Sequence, residues 1–168
     1  MRSKFGYTTS NGSGSAWLDW EQTGDKTNAH LSGPFGAGAA QVLSSSQHAT
    51  LKQAGEEDVH AKSAGALTYQ LFGWSFPIEQ LRYWVRGVPA PHKQVSALTL
   101  DSSGLLSLLE QDGWTLSFTH YQNTPVGPLP SKIRASSGDI RIKLIIKEWL
   151  VNRENTPQQP QHLQRKEI

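Results

Sequence analysis

The sequence predicts a mainly β protein in which one antiparallel sheet carries two short helices. Three observations lead there. Apolar residues recur with a period of two through most of the 168 residues, the pattern of half-buried strands. Two turn signals divide the C-terminal half into hairpins, Asp112-Gly113 and the stretch from Ser136 to Asp139. Between Ser63 and Gly87 the apolar spacing becomes helical, punctuated by Gly73, Pro77 and Pro89. The expectation is a single sheet from about Ser13 to Val151, curled around helices near 63–73 and 77–87, as one domain over residues 1–151.

The first predicted strand is SGSAWLDW, with Ala16, Leu18 and Trp20 on one face against Trp17 and Asp19 on the other. EQTGDKTN reads as a turn, and AHLSG as the returning strand. A stretch rich in Gly, Pro and Ala follows, GPFGAG, holding one bulky aromatic, Phe35, with no apolar neighbour to bury it. AAQVL and HATLKQ are two further short strands. From Ser63, the spacing of Ala64, Leu67, Leu71 and Phe72 is that of a helix, with Gly73 as its C-terminal cap. Pro77 at a first-turn position opens a second helix, which aligns Ile78, Leu81, Trp84 and Val85 before Gly87 and Pro89 stop it.

GLLSLLEQDGWTLSFTHY makes two strands around Asp112-Gly113. SKIRASSGDIRIKLIIKEWLV makes two more, the last alternating Ile140, Ile142, Leu144 and Ile146 against Arg141, Lys143 and Lys147. One face of the sheet is therefore apolar and the other wet. Residues 152–168 are polar with two prolines and read as a disordered tail.

Composition narrows the function. Sixteen Lys and Arg against 14 Asp and Glu leave a net charge of +2. The cations are scattered along the chain, which argues against a nucleic-acid partner. The chain contains no cysteine, which excludes disulfides, thiolate catalysis and Cys-based metal sites. No apolar run approaches the ~20 residues that span a bilayer, and residues 1–20 lack the apolar core of a signal peptide.

Catalytic patterns are sparse. The six histidines, at 30, 48, 60, 92, 120 and 162, show no paired spacing for a metal. Glu56, Glu57 and Asp58 read as a solvated charge run. The glycines of GPFGAG precede a strand, so they lack the helix that a dinucleotide fingerprint requires. Asn11 to Ser13 fits a glycosylation sequon, a pattern frequent by chance. No cofactor, metal or enzymatic activity is expected. The chain has instead an inward surplus of aromatics: Trp20, Trp74, Trp84, Trp114 and Trp149 with Phe72, Phe76 and Phe118. These either pack an ordinary core or line a cavity between short helices and a curved sheet.

The segment LFGWSFPIEQLRYWVRGVPAP, with Gly73, Trp74, Pro77, Leu81, Trp84, Gly87 and Pro89, closely resembles the central signature of the LolB family of outer-membrane lipoprotein receptors. GSAWLDWEQ is similar to the family's first strand, LSGPFGAGAAQV to its protruding loop and the strand after it, and RIKLIIKEWLV to its closing strand. The resemblance runs from about Phe5 to Val151.

It implies an open, incomplete antiparallel β-barrel of the LolA/LolB type, whose helices cover a hydrophobic cavity. It also implies a monomeric receptor that takes acylated lipoproteins from the periplasmic carrier LolA and inserts them into the inner leaflet of the outer membrane, without covalent chemistry. On that reading the acyl-chain cavity is walled by Trp20, Trp84, Trp114, Leu116, Leu144, Ile146 and Trp149. The membrane-insertion loop is Gly33, Pro34, Phe35 and Gly36, where the family places an exposed apolar tip, commonly leucine. Family members sit on the periplasmic face through a lipid-modified cysteine that follows a signal peptide, and then carry an N-terminal helix. This chain starts near the first strand, so the anchor and helix are expected to be missing from it. A soluble carrier without insertion activity is the alternative within the same architecture.

Overall fold

The computed structural model describes residues 1–33 and 38–151, without the side chains of Leu71 and Phe72. The predicted loop tip, Pro34, Phe35 and Gly36, and the predicted tail, 152–168, lie outside the described residues.

Among the described residues, the strands are β1 (Arg2–Thr9), β2 (Gly12–Thr23), β3 (Lys26–Ser32), β4 (Ala40–Ser44), β5 (Ala49–Gln53), β6 (Val59–Ala61), β7 (Val95–Leu100), β8 (Leu106–Gln111), β9 (Trp114–Thr124), β10 (Gly127–Ser137) and β11 (Ile140–Glu148). Helices α1 (Ala64–Phe72) and α2 (Ile78–Trp84) lie between β6 and β7. The strands form one 11-stranded antiparallel sheet in the order β6-β5-β4-β3-β2-β1-β11-β10-β9-β8-β7. The first and last strands of the chain thus meet at its centre. The two edges are the strands on either side of the helices, and among the described residues they do not pair with each other. The sheet is open.

That topology dictates where the helices go. The chain leaves the sheet at the β6 edge and must reach the β7 edge, so α1, the link and α2 cross the apolar face. α1 lies against β5 and β6, and the link residue Phe76 packs edge-on against Phe5 of β1, with ring centroids 5.4 Å apart. On the far side Trp84 of α2 meets Trp114 of β9, with ring centroids at 6.3 Å. The buried cluster runs continuously from Leu18 and Trp20 through Leu67, Leu81 and Trp84 to Leu116, Ile133, Leu144 and Ile146.

Local chemistry explains the elements. Ser63 caps α1, its Oγ accepting the Ala66 N–H at 3.1 Å. Gly73 closes it in the left-handed region at φ 74°, donating its N–H to Tyr69 O. Asp112, at φ 52°, and Gly113, at φ 78°, supply the two positive φ values that a tight hairpin between β8 and β9 requires.

The structure corrects the expected elements in four places. The sheet starts at Arg2, not Ser13: β1 pairs with both β2 and β11. Its inward row, Ser3, Phe5 and Tyr7, includes a small polar residue, and its outward row includes Gly6, so the alternation is diluted. The edge strands β6 and β7 were also not expected. β6 has three residues, and β7 leaves Val95, Leu98 and Leu100 exposed, so neither shows a two-faced pattern. Pro77 stands just before α2, at φ −79° and ψ 64°, rather than in its first turn. The helix ends at Trp84, three residues short of Gly87. Gly87 lies in the left-handed region at φ 73°, and a Cβ there would stand 3.1 Å from Tyr121 Oη and 3.2 Å from Pro130 Cγ.

Candidate functional site

An apolar pocket of about 280 Å³ lies between the inner face of β1–β5 and the α1–α2 layer. Each strand contributes alternate residues to it: Phe5 and Tyr7 from β1, Leu18 and Trp20 from β2, Ala29 and Leu31 from β3, Ala40 and Val42 from β4, and Leu51 and Gln53 from β5. Thr68 of α1, the link residues Trp74 and Phe76, and Ile78 of α2 close it from the other side.

The pocket has a floor and a mouth, legible from burial along each strand. Ala29, Val42 and Leu51 are only 2–3% exposed, while Leu31 and Ala40 are half-buried and Gln53 is exposed. Along β1, Ser3 is fully buried, and Phe5 and Tyr7 are half-buried. In an antiparallel sheet all four gradients point to one end, the end that carries the β1–β2, β8–β9 and β10–β11 turns. β3 ends and β4 begins at that same end.

One wall is aromatic. Phe5 and Tyr7 lie 6.1 Å apart, Tyr7 and Trp74 5.9 Å, and Trp74 and Phe76 5.9 Å with their planes at 83°. Thr68 fixes the link beneath them, its Oγ1 accepting the Phe76 N–H at 2.8 Å while donating to Gly65 O at 3.0 Å. Gly14 opposite Tyr7 is required by this wall, since a Cβ there would come within 2.6 Å of the Tyr7 ring. The floor holds Trp20, whose Nε1 is buried with no hydrogen-bond partner among the described residues.

Of the residues expected in an acyl-chain cavity, Trp20 lines this pocket. Trp84, Trp114, Leu116, Leu144 and Ile146 are buried together in the core on the other half of the sheet, beneath α2. Trp149 is half-buried just beyond β11, and its indole N–H donates to Pro130 O at 2.9 Å. Gly33 is half-buried where β3 ends. The structure therefore splits the expected set between a pocket and a packed core. Phe5 and Tyr7 were missed with β1 itself. Their signal was the spacing of aromatics two apart in FGY, which in a strand places both on one face.

Among the described residues no helix is long and apolar enough to cross a membrane, and no three His, Asp or Glu side chains converge as a metal set.

Comparison with known proteins finds relatives along most of the chain. The model of the family described as outer membrane lipoprotein LolB matches residues 1–149. The outer-membrane lipoprotein LolB of Cellvibrio japonicus is 39% identical over 150 residues, which is 87% of this chain and 74% of that protein. The protein of the same name from Pseudomonas paraeruginosa is 39% identical over 146 residues, covering 87% and 71%. That of Pseudomonas fluorescens Pf-5 is 37% identical over 150 residues, covering 89% and 73%.

Proposed function

Because the chain belongs to the LolB family of outer membrane lipoproteins, we propose that it accepts acylated lipoproteins from the carrier LolA and inserts them into the inner leaflet of the outer membrane. The observation that carries the reading is the pocket's position: its mouth opens at the end of the sheet where β3 ends at Ser32 and β4 begins at Ala40. A receptor built this way presents its cavity and its loop to the leaflet together. A soluble carrier has no use for a membrane-seeking loop, so that alternative is not favoured.

Energetics define the task. Each buried methylene is worth ~0.8 kcal/mol, so cargo with three acyl chains carries tens of kcal/mol and must always face an apolar wall. No bond has to be made or broken. At about 280 Å³, the pocket sits near the lower end of the roughly 300–1,000 Å³ typical of small-molecule sites. It takes part of one chain, not three. Full loading requires the α1–α2 layer to lift from the sheet, which would open the second group, Trp84, Trp114, Leu116, Leu144, Ile146 and Trp149, to the chains. The cavity then includes both the pocket and the residues the sequence nominated.

Phe35, between Pro34 and Gly36 and outside the described residues, completes the proposal as the tip that touches the leaflet. Burying one phenylalanine is worth about 1.5–3 kcal/mol, enough for a reversible contact and too little to trap the receptor. The protein acts as a monomer.

The reading is tested by reconstituted transfer of a triacylated lipoprotein from LolA to liposomes. Ala40→Trp, which fills the pocket mouth, should abolish acceptance while leaving the circular dichroism spectrum intact. Acceptance at the parent rate by a folded Ala40→Trp protein would overturn the assignment of the pocket.

A further inference from the structure

The outer face of the sheet carries a second concavity, of about 830 Å³, over the central strands. It differs from the apolar pocket in carrying Arg134, Arg141 and Lys143 on its lining. Cross-strand register lines up Ser15, Gly6, Lys143, Arg134 and Ser117 as one row on the outer face, from β2 to β9. The row contains two cations directly opposite each other, Lys143 on β11 and Arg134 on β10. Like charges in that relation destabilise a sheet. Here both are exposed, and among the described residues neither pairs with a carboxylate.

The neighbouring rows reinforce the sign of the field. Lys4 and Lys132 flank Ile145 in one, and Arg141 stands in the other, its Nη1 held by the carbonyls of Gly138 and Ile140. Asp139, beside Arg141, and Glu110 are the carboxylates that flank these rows. Asp139 accepts the Ser10 N–H at 2.9 Å, and Glu110 lies beyond Thr115 on β8. Gly6 leaves the floor of the row open, since the nearest heavy atom to a Cβ there would be 3.8 Å away. The arrangement is a trough with two cations unpaired among the described residues, over a bare glycine, and with hydroxyl-bearing residues at either end. It selects an oxyanion.

Position identifies the source. The trough lies toward the same end of the sheet as the mouth of the apolar pocket, and Tyr7 borders both concavities. If that end faces a leaflet during delivery, as the proposed function requires, the trough meets the headgroup layer. We propose that the outer-face trough carried by Arg134 and Lys143 binds the phosphate of anionic phospholipid headgroups and so orients the pocket mouth on the receiving leaflet.

The test is cosedimentation of the full chain with vesicles of phosphatidylcholine alone and of phosphatidylcholine mixed with phosphatidylglycerol. The parent should bind the mixed vesicles preferentially, and less so as salt is added. R134Q/K143Q should lose roughly thirtyfold in partitioning to them, the combined effect of two cations near an anionic surface. K26Q/K62Q, with the same charge change at the opposite end of the sheet, should retain binding. Equal loss in both variants, or none in R134Q/K143Q, overturns the proposal. So does equal binding of the parent to the two kinds of vesicle, which would leave the anionic headgroup without a role. Loss of uptake from LolA by R134Q/K143Q with vesicle binding intact would assign it to an acidic protein surface and equally overturn it. Binding of an acylated peptide in solution, read on the same variants, should not change. Failure of that binding in the parent would instead remove the proposed function and leave the vesicle result standing.

Discussion

Gln111 holds Trp84 in place: its buried Oε1 accepts the Trp84 indole N–H at 2.9 Å and the Ala90 backbone N–H at 2.8 Å. Its Nε2 donates to Ala90 O at 2.8 Å and to Lys93 O at 3.2 Å. One side chain at the end of β8, 1% exposed, thereby ties the helix layer and the segment after it to the sheet. A buried amide with its hydrogen bonds satisfied fixes one arrangement of the groups around it.

Gln111→Leu keeps similar volume but leaves the Trp84 N–H and both polar groups of Ala90 buried without partners. Each such group costs ~1–3 kcal/mol, so a loss of about 3 kcal/mol or more is expected. The urea midpoint checks it. A midpoint equal to the parent's would mean that the network does not hold the helix layer.

Gly87→Ala should cost about 1–2 kcal/mol from the left-handed backbone alone. The contacts with Tyr121 Oη and Pro130 Cγ add to that. Gly38→Ala, also at positive φ but with open space around the position, is the control and should cost less in the same denaturant titration.

Tyr121 donates its hydroxyl to Leu106 O at 2.6 Å, and burial, with a smaller contribution from Asp101, pushes its pKa up to about 12. The folded state therefore holds this proton more tightly than the unfolded chain, whose tyrosines titrate near pH 10. The sign follows: the contribution is complete below about pH 10 and is lost as pH rises toward 12. Tyr121→Phe should flatten the stability profile in that window, followed by circular dichroism at increasing pH. An unchanged slope would contradict the assignment.

Lifting of the helix layer is visible by fluorescence. A peptide bearing one short brominated acyl chain should quench Trp20 and Trp74 alone, so parent and W84F/W114F should lose the same absolute intensity. A triacylated brominated ligand should quench the parent more than W84F/W114F. Equal quenching of both proteins by the triacylated ligand would restrict the acyl site to the pocket.

Phe35→Glu should take lipoprotein from LolA at the parent rate and fail to release it into liposomes, while Phe35→Leu delivers normally. Equal delivery by all three rejects the membrane contact. Failure of the Glu variant at acceptance moves Phe35 to cargo reception.

Much of this architecture was written locally. Alternation in β2, β9 and β11, the Asp112-Gly113 turn, Ser63 and Gly73 at the ends of α1, and the signature around Trp74 and Trp84 each follow from the periodicity or backbone preference of a few adjacent residues, so the class of fold and the family were legible in the chain. β6 and β7 were not, because edge strands draw their stability from hydrogen bonds to one neighbouring strand and need no two-faced pattern of their own, and β1 was not, because Ser3 on its inward row and Gly6 on its outward row dilute the alternation. The same limit applied to the sites. Trp20 and Trp84 share the same apolar signal, yet the crossing of α1 and α2 from the β6 edge to the β7 edge puts one on a pocket floor and the other in packed core. Arg134 and Lys143 are nine residues apart in a scattered set of cations, and only the β10–β11 register makes them face each other. Sequence determines which face a residue takes. What lies across that face is a property of the whole chain, fixed by pairings between segments far apart along it.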